Sequence, residues 1–107
     1  MEINNKNIHI VLINLNITPD LKGYECIKYA LLHPEFKGMH VYEECAKHLN
    51  YHYNTVDREI RTCLKKIPAK HLKIIVGNSK PTNLAVITCL RFAMEYDLLN
   101  EILSEEA

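Results

Sequence analysis

The residues best equipped for chemistry lie in one run, "KHLNYHYNTVDREIR", at 47 to 61. Its second half carries Arg58 and Arg61, with Asn54 and Thr55 just before them and Lys65 just after. Arg58, Arg61 and Lys65 fall at i, i+3 and i+7, so on a helix they share a face. Arginine's planar fork can donate two parallel hydrogen bonds to one guanine, and lysine neutralises phosphate as a point charge. Asn54, Thr55, Arg58 and Arg61 are therefore the side chains expected to reach bases and phosphates. His52 is expected to contact a phosphate or a base edge at the mouth of the same helix. Lys47, Lys65, Lys66 and Lys80 would supply electrostatic docking. The competing account is an ordinary helical hairpin with a solvated arginine face, in which Asp57, four residues before Arg61, holds that arginine in an intrahelical pair.

Other chemistries lack a site. Cys45, His48 and His52 look like a metal-ligand list, but a break at Asn50 removes i, i+4 geometry between the histidines, and no second ligand pair stands at fixed spacing. Neither a metal nor a cofactor is expected. Cys63 lies one helical turn from Ile60 and Ile67, which makes it a core residue and not a nucleophile. Tyr53 fits the apolar stripe of its helix and reads as a core plug, while Tyr51 is free to stack. No nucleophile stands with its base, no catalytic acid–base pair is evident, and no glycine-rich phosphate loop is present. The chain does not read as an enzyme, and no small-molecule substrate is expected.

The elements that must position these residues are short and apolar-striped. A chain of 107 residues, 48% hydrophobic, holds one domain with a real core. Three glycines and four prolines leave little room for the turns of an all-β fold. The longest apolar run, "IHIVLINLNI" at 8 to 17, falls short of the roughly 18 residues a bilayer demands and does not resemble a signal peptide. Its isoleucines favour a strand, yet Ile8, Val11, Leu12 and Leu15 follow helical spacing, and pattern alone leaves both open. A second segment begins with Thr18 as cap, Pro19 in the first turn and Asp20 against the dipole. It continues through Tyr24, Ile27 and Leu31 and stops at Pro34. Gly23 inside it marks close backbone packing.

A third helix spans about His40 to Leu49, with Val41, Cys45 and Leu49 as its stripe. Asn50 follows, a residue tolerant of the left-handed conformation that ends helices. A fourth helix runs from near Tyr53 to about Lys66, striped by Val56, Ile60, Cys63, Leu64 and Ile67. A tight turn sets these two at a steep angle, which projects the start of the second outward into reach of a major groove. Residues 69 to 76 form either a short helix or an extended piece. "GNSKPTN" at 77 to 83 turns into a last helix capped by Ser79 or Thr82, with Ile87, Leu90, Met94 and Leu98 inward. The "SEEA" tail is expected to fray.

Charge divides the chain where net composition does not. Residues 47 to 80 carry eight Lys or Arg against Asp57 and Glu59, whereas residues 81 to 107 set Arg91 against five acids. The basic middle can attract phosphate at short range because salt screens the distant acids. A solvated lysine-rich face accounts for the same charges equally well. Four scattered cysteines with no C-x-x-C spacing fit reduced, buried thiols in a cytoplasmic protein.

With these elements in place, "LKGYECIKYAL" at 21 to 31, "YEECAKHLNYHYNTVDREIRTCL" at 42 to 64 and "KPTN" at 80 to 83 together resemble a known family. It is the C-terminal effector domain of the master response regulator of sporulation initiation in endospore-forming Firmicutes. The resemblance covers about residues 5 to 100. It implies an all-α domain of about six helices around a helix-turn-helix, with the first segment helical and the helix at 53 to 66 as recognition helix. It further implies double-stranded DNA as partner, bound by a homodimer on adjacent sites. Arg58, Arg61 and Lys80 match basic positions of the family. Three departures stand out: the chain leaves no room for a receiver domain, Thr55 replaces a usual arginine, and Glu59 replaces a usual small residue. The resulting expectation is a sequence-specific DNA-binding transcription regulator. The rival is a helical interaction module that dimerises with a related regulator through its acidic C-terminal part.

Overall fold

The computed structural model describes residues 1–77 and 81–98. Its regular structure is six α-helices: α1 (Asn5–Asn14), α2 (Gly23–Leu32), α3 (His40–Leu49), α4 (Tyr53–Leu64), α5 (Ala69–Val76) and α6 (Asn83–Glu95). No strand occurs among the described residues, so the fold is all-α. No helix among them is long and apolar enough to cross a membrane.

The ambiguous first segment is helical. Asn4 caps α1 by accepting the Asn7 N–H at 2.8 Å. Ile8, Val11, Leu12 and Leu15 are buried, while Ile10 and Ile13 stay outside. The strand preference of isoleucine is overridden because no neighbouring strand offers a ladder and one helical face buries all four side chains.

The start of α2 differs from expectation. Thr18 does not cap it; its hydroxyl donates to the Asp20 carboxylate, and residues 18–21 form a turn closed by the Leu21 N–H on the Thr18 carbonyl. A short polar side chain that bonds locally competes with the helix for backbone conformation, and here the turn wins. The helix begins at Gly23 and packs against α1, α3, α4 and α6. A Cβ on Gly23 would lie 2.7 Å from both the Cys63 Sγ and the Glu59 carbonyl carbon, and closer still to the Glu59 oxygen. Glycine therefore lets the backbones of α2 and α4 approach. What Gly23 meets is the backbone of Glu59, whose side chain is 21% exposed and lies beside Arg58. Pro34 ends α2 as expected, with the last helical residue at Leu32. Arg91 of α6 donates to the Ala30 carbonyl, which satisfies one of the orphan acceptors at the end of α2.

The open question at residues 69 to 76 resolves as helix α5, closed by Gly77 at φ 76°. Thr82 caps α6 by accepting the Ala85 N–H at 3.2 Å. Ser79, Lys80 and the acidic tail lie outside the described residues. Val86, Ile87, Leu90, Ala93 and Met94 face inward from α6. All four cysteines are free thiols; Cys26, Cys45 and Cys63 are buried and Cys89 is half-buried. Burial pushes the thiols of Cys26 and Cys45 up to about 12 and raises that of Cys63.

Candidate nucleic-acid interface

The turn between α3 and α4 is built by three residues. Asn50 adopts the left-handed conformation (φ 55°, ψ 45°), and its N–H and that of Tyr51 both bond back to the Ala46 carbonyl. That closes α3 in the manner of a left-handed cap. His52 is extended, and its Nδ1 accepts the Asn54 N–H at 3.2 Å, so His52 is the N-cap of α4. Because Nδ1 accepts, the neutral ring carries its proton on Nε2, which makes that nitrogen a donor. Sequence reasoning placed His52 at the mouth of α4 but missed that its ring caps the helix.

Two aromatic rings lock the turn. Tyr53 meets Tyr42 edge-on at 5.6 Å, and its hydroxyl donates to Met39 Sδ at 3.5 Å, as suits a half-buried plug. Tyr51 is also half-buried, with the Lys22 ammonium 5.5 Å from its ring centroid. Below the turn, Val56, Ile60, Cys63 and Leu64 anchor α4 in the core. Cys63 is 1% exposed, which agrees with a packing role.

With that face buried, α4 presents the opposite one to solvent. Asn54, Arg58, Arg61 and Lys65 recur at i, i+4, i+7 and i+11 and are all exposed. Arg58 is 67% exposed and its Nε lies 3.5 Å from the Glu59 carboxylate. Arg61 is 57% exposed and its Nη2 donates to Asp57 Oδ2 at 2.7 Å. The intrahelical pair foreseen from the i, i+4 spacing is thus present. Thr55 sits at the edge of the face and is half-buried, and Thr62 bonds its own helix at the Arg58 carbonyl. Lys47 belongs to α3, exposed and paired with Glu44 at 3.4 Å. Lys66 is exposed just past α4, and Lys80 lies outside the described residues.

One contributor went unnoticed in the sequence. Asn83, the first residue of α6, donates through Nδ2 to both the Asp57 carbonyl (3.2 Å) and the Asp57 carboxylate (3.3 Å). Asp57 therefore holds Arg61 with one oxygen and is held by Asn83 through the other. Tyr42 belongs to the same group; burial raises its hydroxyl pKa, and the Asn83 amide beside it opposes the rise. The local signal for Asn83 was its place in "KPTN", and nothing in that motif says which carboxylate it meets. No three His, Cys, Asp or Glu side chains converge as metal ligands among the described residues.

No family model, curated protein or solved structure matches this chain.

Proposed function

We propose that the chain is a sequence-specific DNA-binding transcription regulator, that α3 and α4 are its helix-turn-helix, and that α4 enters the major groove. The observation that carries this reading is the exposed stripe of Asn54, Arg58, Arg61 and Lys65 on a helix that Val56, Ile60, Cys63 and Leu64 anchor in the core. A recognition helix needs both properties: rigid seating, and donors that converge on base edges. Asp57 adds a third, since it holds one arginine fork in a set orientation before DNA arrives. The start of α4 carries no acid, so its positive dipole end is available to a phosphate. The resemblance to the effector domain of the sporulation regulator points the same way and suggests binding in pairs on adjacent sites.

In this mechanism Lys65, Lys66, Lys47 and Lys80 neutralise phosphates and place the domain. Arg58, Arg61, Asn54 and Thr55 then sample base edges, with the His52 Nε2–H donating to a phosphate. Selection of bound sequences from a random duplex pool tests this directly, with one enriched motif expected. On that motif, Arg61→Ala should weaken binding by about 1–3 kcal/mol and flatten preference at one or two positions. Lys65→Ala should weaken all duplexes alike and lower the salt slope by about one. Asp57→Asn should lose preference at the Arg61 positions. The proposal fails if the Arg58→Ala/Arg61→Ala double variant keeps both affinity and preference.

A second reading has its own observation. Phe92 on α6 and Tyr96 just past its end are 54% and 62% exposed, and their rings pack against each other at 4.6 Å. Such an aromatic pair suits a protein contact, either a second copy on the DNA or a related regulator in a mixed dimer. Failure to enrich any duplex, together with a dimer broken by Phe92→Ser, would favour this reading over DNA recognition.

A further inference from the structure

Beside the α4 stripe lies a cleft of about 720 Å³, walled by α4 from Asp57 onward, by Met39 and Tyr42 at the start of α3, by Leu72 of α5 and by the start of α6. Its size is that of a small-molecule site. The interior is apolar: Leu64 and Val86 are buried in its floor, and Leu72 and Leu84 are half-buried in its walls. Two cations stand on the rim, Arg61 and Lys65. The rim's one carboxylate, Asp57, is already engaged, with Oδ2 on Arg61 and Oδ1 receiving Asn83. The other donors of Arg61 and the whole Lys65 ammonium have no carboxylate against them among the described residues. An apolar hollow with unopposed positive charge at its mouth is complementary to one class of molecule: an apolar body with an anionic head.

We propose that this cleft binds a free amphipathic organic anion, a carboxylate, sulfonate or phosphate carried on an alkyl or fused-ring body. The body lies on Leu64, Leu72, Leu84 and Val86, and the head sits between Arg61 and Lys65. Arg61 belongs equally to the face assigned to base readout, so ligand and DNA compete for its guanidinium and the occupied protein releases DNA. The competition rests on the proposed DNA reading; the binding of the anion does not.

The test uses a pair of fluorescent probes of similar shape, 1-anilinonaphthalene-8-sulfonate and the uncharged N-phenyl-1-naphthylamine, titrated into the full chain. The sulfonate should bind saturably at one site. Arg61→Ala and Lys65→Ala, both at exposed positions that leave the core intact, should each weaken the sulfonate about fivefold or more while the neutral amine stays within about twofold, since a lost charge-assisted contact acts on the head alone. Asp57→Asn should tighten the sulfonate, because it removes the rim's negative charge. Leu72→Glu should abolish both probes, with its fold checked by circular dichroism. The site is overturned if the sulfonate does not saturate, if the cation variants weaken both probes equally, or if Leu72→Glu changes neither. Competition is read on a duplex from the selected pool: the sulfonate should displace it from wild type, and its failure to do so at saturation overturns the coupling. A chain that binds the sulfonate as described and no duplex at all upholds the site and sinks the DNA reading instead.

Discussion

Gly23→Ala is the sharpest probe of how α4 is seated. The added Cβ would stand 2.7 Å from the Cys63 Sγ and the Glu59 carbonyl carbon, and nearer to the Glu59 oxygen. Ordinary contacts begin near 3.4 Å, so the gap must widen by roughly an ångström. The Glu59 oxygen is backbone in the middle of a helix and cannot turn aside, so α2 and α4 must separate as bodies. Separation by that distance forfeits a quarter to a half of the dispersion well along the α2–α4 seam. Overpacking of this kind costs about 1–3 kcal/mol, and more where the obstacle is backbone. Replacing glycine returns up to about 1 kcal/mol of helix propensity, less in a first turn. The net expectation is a loss of about 2–3 kcal/mol. Urea unfolding followed at 222 nm reads it as a midpoint lowered by about 1–3 M at a slope of 1–2 kcal/mol/M. Gly38→Ala is the comparison, because Gly38 sits at φ 60° with nothing within 4 Å of its Cβ position and should cost only the strain of that conformation, about 1 kcal/mol. A Gly23→Ala protein as stable as wild type would refute the close crossing of α2 and α4, and with it the account of how α4 is held.

Two further outcomes follow from local geometry. Asn50→Ala should destabilise by about 1 kcal/mol, since alanine lacks the tolerance asparagine has for φ 55°, while Asn50→Gly should be neutral or stabilising; equal losses in thermal melts would show that the turn does not depend on this conformation. Stability should also fall as pH rises above about 9, because the unfolded thiols of Cys26 and Cys45 ionise near 8.5–9 whereas the folded ones stay neutral to about 12. The neutral form is the one the fold favours, so this contribution is intact below the unfolded value and disappears through the folded one. Urea midpoints between pH 8 and 10 should decline less steeply in Cys26→Ala/Cys45→Ala, and identical slopes would contradict the assignment.

What the sequence determines by itself is most of what depends on neighbours within a turn or two. The break at Asn50, the restart at Tyr53 and the Asp57–Arg61 pair are all i to i+4 matters legible in the sequence, whereas the choice of Thr82 over Ser79 as cap of α6 was left open there. The exposed basic face of α4 was legible for the same reason: once the apolar stripe is known, its complement is known. Gly23 was legible as a close approach, though not what it approached. Tertiary structure alone decided the rest. The first segment could have been a strand until it was clear that no other strand existed among the described residues to pair with it. One local matter also went against the sequence reading: the start of α2 moved from Thr18 to Gly23 because a turn over residues 18–21 outcompeted a plausible cap. Asn83 and Asp57 lie 26 positions apart, and no periodicity links them; they meet because α6 packs on α4. The cleft beside Arg61 has the same origin, a space between α3, α4, α5 and α6 that none of them encodes alone, since a cavity belongs to the packing and not to any one segment's pattern.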